Sequence, residues 1–134
     1  MRVNGRCHCG RVTFSAEVDP EAVGVCHCTD CQSLTGSPFR VTALVPRAAL
    51  RLTGGTPKLY RKVGDNGRGR RQYFCGDCGA PLFTAGEGDE ADDCGIRWGA
   101  IEERAMLVPR GAIWCRSAVP WLGTIGSLPA SDGD

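Results

Sequence analysis

An all-β domain stapled by zinc is the fold class this sequence predicts, and three observations predict it. Short β-prone runs alternate with turn signals, and 19 glycines and 8 prolines in 134 residues supply those turns. Leu, Ile, Val and Phe number only 27, close to the ~20% border below which highly charged chains stay disordered. The formal net charge is only +1, so self-repulsion does not open the chain, and a thin core needs staples instead. Nine cysteines, seven of them in three tight motifs, fill that need. Helical bundles, coiled coils and deep parallel sheets fit this composition poorly.

The elements follow in order. Residues 13–18 read as a strand with partial alternation, stopped by Asp19-Pro20. Residues 39–45 form a second strand, ended by Pro46, and residues 50–52 a third that runs into Gly54-Gly55. A strand over 58–62 precedes Asp65-Asn66-Gly67, a pattern that supports the positive φ angles of tight hairpins. Residues 72–74 and 81–83 flank the third cysteine motif, and 96–98 and 112–116 are the last strands. Helical periodicity is confined to a turn or two after Cys28 and another over 102–107. No linker divides the chain, so residues 1–130 are expected to form one domain and 131–134 a disordered tail.

The seven clustered cysteines lie in Cys7-His8-Cys9, Cys26-His27-Cys28-Thr29-Asp30-Cys31 and Cys75-Gly76-Asp77-Cys78. The chain reaches Cys7 with no apolar leader, so a reducing cytoplasmic location is expected, where clustered thiols hold metal rather than pair. No stretch approaches the ~18 apolar residues of a membrane span. Zinc–sulfur bonds of ~2.3 Å put the sulfurs of one tetrahedral site about 3.8 Å apart. A C-x-x-C turn achieves that spacing, and a C-x-C on an extended strand projects both thiols from one face. The intervening residue then points away, which argues against His8 and His27 as ligands. Cys7, Cys9, Cys75 and Cys78 would close a four-sulfur structural site. Cys26, Cys28 and Cys31 offer three sulfurs with a position left open, the pattern of a catalytic zinc, unless Cys94 or Cys115 completes it. Two zinc ions per chain are therefore expected.

Charge is balanced in sum but segregated. Residues 58–71 carry six Lys/Arg and one Asp, and residues 87–93 carry five Asp/Glu, read as a solvated loop. Arg6, Arg11, Arg68, Arg70 and Arg71 flank the cysteine motifs, where they either offset thiolate charge or receive an anionic substrate. The run Arg68-Gly69-Arg70-Arg71 is too short to indicate nucleic-acid binding. Cys94 and Cys115 are expected as small buried strand residues, and Trp98, Trp114 and Trp121 as core.

These motifs, together with Thr35-Gly36-Ser37-Pro38-Phe39, Ile96-Arg97-Trp98-Gly99, Ile113-Trp114-Cys115-Arg116-Ser117 and Pro120-Trp121, resemble the glutathione-dependent formaldehyde-activating enzyme family (GFA/CENP-V domains). The resemblance implies a β-tent fold of small packed antiparallel sheets with short helical turns. It implies a structural zinc on Cys7, Cys9, Cys75 and Cys78, and a catalytic zinc on Cys26, Cys28 and Cys31. It also implies a carbon–sulfur lyase acting on adducts of a thiol and an aldehyde, such as S-hydroxymethylglutathione from glutathione and formaldehyde. Glutathione's two carboxylates would give Arg40 and the 58–71 segment a role. Gly99-Ala100-Ile101-Glu102-Glu103 and Ala112 depart from residues common in the family, which bears on specificity. The alternative is a non-catalytic zinc-stabilised binding or scaffold module.

Overall fold

The computed structural model describes residues Met1–Asp134. Its chain builds two sheets. The first comprises β1 (Arg2–Arg6), β2 (Thr13–Glu17) and β5 (Leu50–Gly54), in the order β1-β2-β5. The second comprises β3 (Val23–Cys26), β4 (Arg40–Pro46), β6 (Lys58–Val63), β7 (Gly69–Phe74), β8 (Pro81–Gly86), β9 (Asp93–Arg97) and β10 (Gly111–Ile113). Its order is β10-β3-β4-β9-β8-β7-β6, so the all-β expectation holds with one sheet much wider than the other. All pairs are antiparallel except β10 with β3, which sets Ile113 beside Cys26.

The expected strands appear with small shifts, and two more appear that the pattern did not reveal. β1 and β3 each carry a glycine in a run of four or five residues, too short to display alternation. At the other extreme, the run expected over 112–116 stops at Ile113. Trp114 takes φ 56°, a left-handed conformation that ends the strand, and Cys115–Ser117 coil into a 3-10 turn. The Asp65-Asn66-Gly67 turn is wider than a two-residue hairpin: Gly67 alone has positive φ, and the Asn66 side chain accepts from the Arg68 amide.

The core lies between the sheets. Val3, Phe14 and Ala16 face Ala43, Val45, Phe83, Ala85 and Ile96, all buried. Phe14 meets Phe83 edge-on across the interface, with centroids 6.3 Å apart. Gly5 lies opposite Phe14 in the β1–β2 register, and any Cβ there would fall 2.0 Å from the Phe14 ring. Glycine is thus required for the aromatic ring to lie flat on its neighbouring strand.

The segregated charges meet in space. Arg61 binds Glu87 through two hydrogen bonds of 2.7 and 2.8 Å, Arg71 approaches the same carboxylate, and Arg68 pairs with Glu90. Glu87 and Glu90 are therefore not free loop charges, and three of the six cations of 58–71 are drawn to these two carboxylates. No helix is long and apolar enough to cross a membrane.

Candidate functional site

The first cysteine group is made by two turns. The β1–β2 connection carries Cys7 and Cys9, and the β7–β8 connection carries Cys75 and Cys78; all four sulfurs lie within 4.8 Å of one another. Cys7 Sγ to Cys9 Sγ is 3.6 Å and Cys9 Sγ to Cys75 Sγ is 3.7 Å, close to the ~3.8 Å edge of a tetrahedral zinc–sulfur site. The Val12 amide donates to Cys7 Sγ at 3.3 Å and the Asp77 amide to Cys75 Sγ at 3.4 Å, bonds that orient the two sulfurs. Gly79 follows Cys78 at φ 77°, the conformation that closes the turn. Amide hydrogen bonds at Ala80 and Cys9 lower the Cys78 thiol to about 6. Cys7 and Cys75 belong to the buried core, so a metal here would tie that core across 66 residues of chain.

The second group is local. β3 ends on Cys26, and helix α1 (Thr29–Thr35) begins one residue after Cys28, which caps it by accepting from the Cys31 amide at 3.3 Å. Gly36, at φ 64°, closes α1. The three sulfurs lie within 4.8 Å of one another, and no fourth Cys, His, Asp or Glu joins them. Burial raises the Cys28 thiol, but the Cys31 amide, the Cys31 and Cys26 sulfurs and the Lys62 ammonium outweigh it and hold its pKa below the ordinary value. Burial pushes the Cys31 thiol up to about 12, with the hydrogen bond to Cys28 adding to the rise. Three sulfurs this close repel one another as thiolates, and a cation among them would offset that repulsion. Both groups could hold a metal ion, and thiolate sets of this size suit zinc.

Cys94 and Cys115 stand apart from both groups. Cys94 is buried on β9 as expected, whereas Cys115 is exposed in the turn that follows Trp114. Neither histidine joins a group: His8 is exposed and His27 is buried against Phe39. Of the tryptophans only Trp98 packs on the core, donating Nε1–H to Leu107 O at 3.0 Å. Trp114 and Trp121 are exposed, contrary to the sequence-based reading, because the chain has left the sheet before it reaches either.

The three-sulfur group opens on a cavity of about 590 Å³ over the outer face of the wide sheet. In register along that face stand Cys26, Arg40, Thr42, Arg97, Thr84, Gln72 and Arg70, with Lys62 at its edge. Leu44, Ile113 and Trp114 make an apolar rim, and Ala112 lies beside them. A larger cleft of about 910 Å³ shares Arg40 and Arg97 but holds only Cys7 of the seven clustered cysteines. Arg97 carried no signal in the sequence beyond its place in a motif, since its neighbours on β4 and β7 are 55 and 25 residues away.

A family profile described as glutathione-dependent formaldehyde-activating enzyme matches residues 2–117. The chain belongs to that family. The family's match runs through both cysteine groups and the cavity wall up to Ser117. Two fungal relatives carry the name "Putative glutathione-dependent formaldehyde-activating enzyme". The Penicillium rubens protein is 35% identical over 86 residues, covering 63% of this chain and 44% of the relative. The Emericella nidulans protein is 32% identical over 79 residues, covering 58% and 39%. The chain thus spans less than half the length of these family members. A Rhodobacter sphaeroides protein of known crystal structure shares the fold, with a TM-score of 0.63 at 21% identity over 81% of this chain and 98% of that one.

Proposed function

We propose that this chain is a zinc-dependent carbon–sulfur lyase-type enzyme that makes and breaks adducts of a thiol, such as glutathione, with formaldehyde. The observation that carries it is the three-sulfur group of Cys26, Cys28 and Cys31, with no fourth protein donor, set in the wall of a cavity. A group built for stability alone has no need of an open side, and Cys7, Cys9, Cys75 and Cys78 already form a closed set. In this reading the metal complement is two zinc ions, one structural and one catalytic. Relatives named for glutathione and formaldehyde support the same substrates. Nine unpaired cysteines suit a reducing compartment such as the cytoplasm.

When bound to the three sulfurs, zinc would supply Lewis acidity at its free position. The remaining work falls to the chain. The Cys31 amide and the Lys62 ammonium, itself held by Asp30 at 2.9 Å, stabilise negative charge on Cys28. Leu44, Ile113 and Trp114 give the cavity wall an apolar stretch against which a reactant can pack. In the forward direction a sulfur–carbon bond forms, the carbonyl π bond becomes an O–H bond, and the thiol proton ends on that oxygen. Holding the two reactants together replaces a bimolecular encounter by a positioned one.

The test is metal analysis with exchange spectroscopy on the full chain. Two zinc per chain are expected, with glutathione binding by calorimetry and faster exchange between ¹³C-formaldehyde and S-hydroxymethylglutathione than in buffer. Cys28→Ser should abolish the acceleration while leaving one zinc. A single tight zinc with neither thiol binding nor accelerated exchange would identify a scaffold module instead.

A further inference from the structure

Arg40 is 5% exposed, yet no carboxylate lies within ion-pair distance of it or of Arg97. Instead the two guanidiniums share one neutral acceptor. Gln72 Oε1 takes a hydrogen bond from Arg97 Nη2 at 2.8 Å and a long one from Arg40 Nη1 at 3.5 Å. Arg97 Nη1 donates to Thr42 Oγ1 at 3.0 Å, and Gln72 Nε2 is fixed by Thr84 Oγ1 at 3.3 Å. Arg40 Nε is buried and donates to nothing. Burial, and after it the Arg40 charge, hold the Arg97 guanidinium well below its ordinary range.

A buried guanidinium beside a half-buried one of the same charge, with an orphaned donor, is costly, and folded chains retain such groups where a ligand completes them. Offsetting the cysteine group does not account for them. Three thiolates and one divalent cation leave a single negative charge. Facing it are Arg40, Arg97 and Arg70, all lining the cavity and all without a carboxylate partner; Lys62 and Arg110 are already paired with Asp30 and Glu21. An excess of positive charge remains, inside a cavity whose rim is apolar.

We infer that Arg40 and Arg97, bridged by Gln72, form a carboxylate receptor on the cavity floor that selects the reactant delivered to the Cys26–Cys28–Cys31 group. This rests on the thiol–aldehyde reading of that group. Arg40 stands directly across from Cys26 in the β3–β4 register, so the bound carboxylate and the reacting centre belong to one small molecule or to two in contact. Planar guanidiniums suit a carboxylate, which accepts two parallel hydrogen bonds, and both Arg40 and Arg97 line the cavity. Formaldehyde has no carboxylate. The anion therefore comes from the thiol, as in glutathione, or from an aldehyde that carries its own, an α-oxo acid.

The zinc-loaded full chain distinguishes these sources. Calorimetry compares glutathione with its diethyl ester, and thermal melts compare glyoxylate with no addition, in wild type and in Arg97→Gln. If the thiol supplies the carboxylate, the ester binds at least tenfold more weakly than glutathione to wild type. Arg97→Gln then weakens glutathione by a similar factor and leaves the ester unchanged. If the aldehyde supplies it, ester and glutathione bind alike, and glyoxylate raises the melting temperature of wild type but not of Arg97→Gln. Should Arg97→Gln fail to fold, the ester and glyoxylate comparisons on wild type decide alone. Glutathione binding that ignores esterification, together with no response to glyoxylate, overturns the receptor and leaves the adduct reading standing. Stabilisation by glyoxylate without any thiol binding keeps the receptor and removes the adduct reading. No response to any of the three removes both.

Discussion

Replacing Cys75 by serine separates the two cysteine groups by their effect on folding. Cys75 is 1% exposed, lies in the core and sits 3.7 Å from Cys9 Sγ, so it links the β7–β8 turn to the β1–β2 turn. Structural zinc contributes on the order of 10–16 kcal/mol to the folding of small zinc domains, or about 2.5–4 kcal/mol per sulfur if shared equally among four. Small domains are stable by only ~5–15 kcal/mol, so one ligand is a large fraction of the whole. With an unfolding entropy of about 2.1 cal/mol/K per residue, 134 residues convert that loss to a fall of roughly 12 °C in melting temperature. Cys28→Ser touches a group confined to residues 26–31, joined to no distant strand by its sulfurs, and should lower the melting temperature by no more than about 3 °C. Calorimetric melts of the zinc-loaded proteins, with metal content measured on the same samples, provide the assay. Equal falls for the two variants, or a Cys75→Ser melt within about 3 °C of wild type, would refute the division into structural and open groups.

The remaining predictions concern metal, packing and pH. A chelator should strip one zinc well before the other; the first loss should spare far-ultraviolet dichroism and abolish thiol binding, followed by elemental analysis at timed intervals. Gly5→Ala would set a methyl 2.0 Å from the Phe14 ring and should destabilise the chain by about 1–3 kcal/mol in a urea melt, whereas Gly99→Ala meets no atom within 4 Å and should not. Glu87 is held below its ordinary carboxylate value of 4.5 by the Arg61 hydrogen bond, with burial opposing and the Arg61 and Arg71 charges assisting. Its contribution is therefore present above pH 4.5 and lost as pH falls through its lower, folded value. Melts of Glu87→Gln should match wild type at acid pH and fall below it at neutral pH, and a constant gap would contradict this.

The charge map explains why this family member is nearly neutral yet carries a cationic cavity. Arg61, Arg68 and Arg71 are spent on Glu87 and Glu90 at one end of the wide sheet. Alternation along β7 sends Arg70 to the opposite face, into the cavity, while Arg71 turns away. Segment composition alone assigns all six cations of 58–71 the same role; the pleat divides them.

What the sequence determined by itself is whatever depends on near neighbours. Cys26, Cys28 and Cys31 span six residues, and a strand end followed by a capped helical turn brings their sulfurs together with little help from the rest of the chain. The strands with alternating or bounded apolar runs were legible for the same reason; the four-sulfur group was legible only as two local pairs, which meet across 66 residues of chain. Tertiary structure decided what is built from distant segments. β1 and β3 are strands because neighbours pair with them, not because their residues insist on it. Trp114 leaves the sheet through a single left-handed residue that the Ala112–Arg116 pattern does not announce. Arg40, Gln72 and Arg97 come from three strands, and only the β4-β9-β8-β7 order places their side chains on one face over the sulfurs. Local spacing brings the sulfurs of Cys26, Cys28 and Cys31 together, whereas the cavity beside them exists only once long-range strand pairing has closed the sheet.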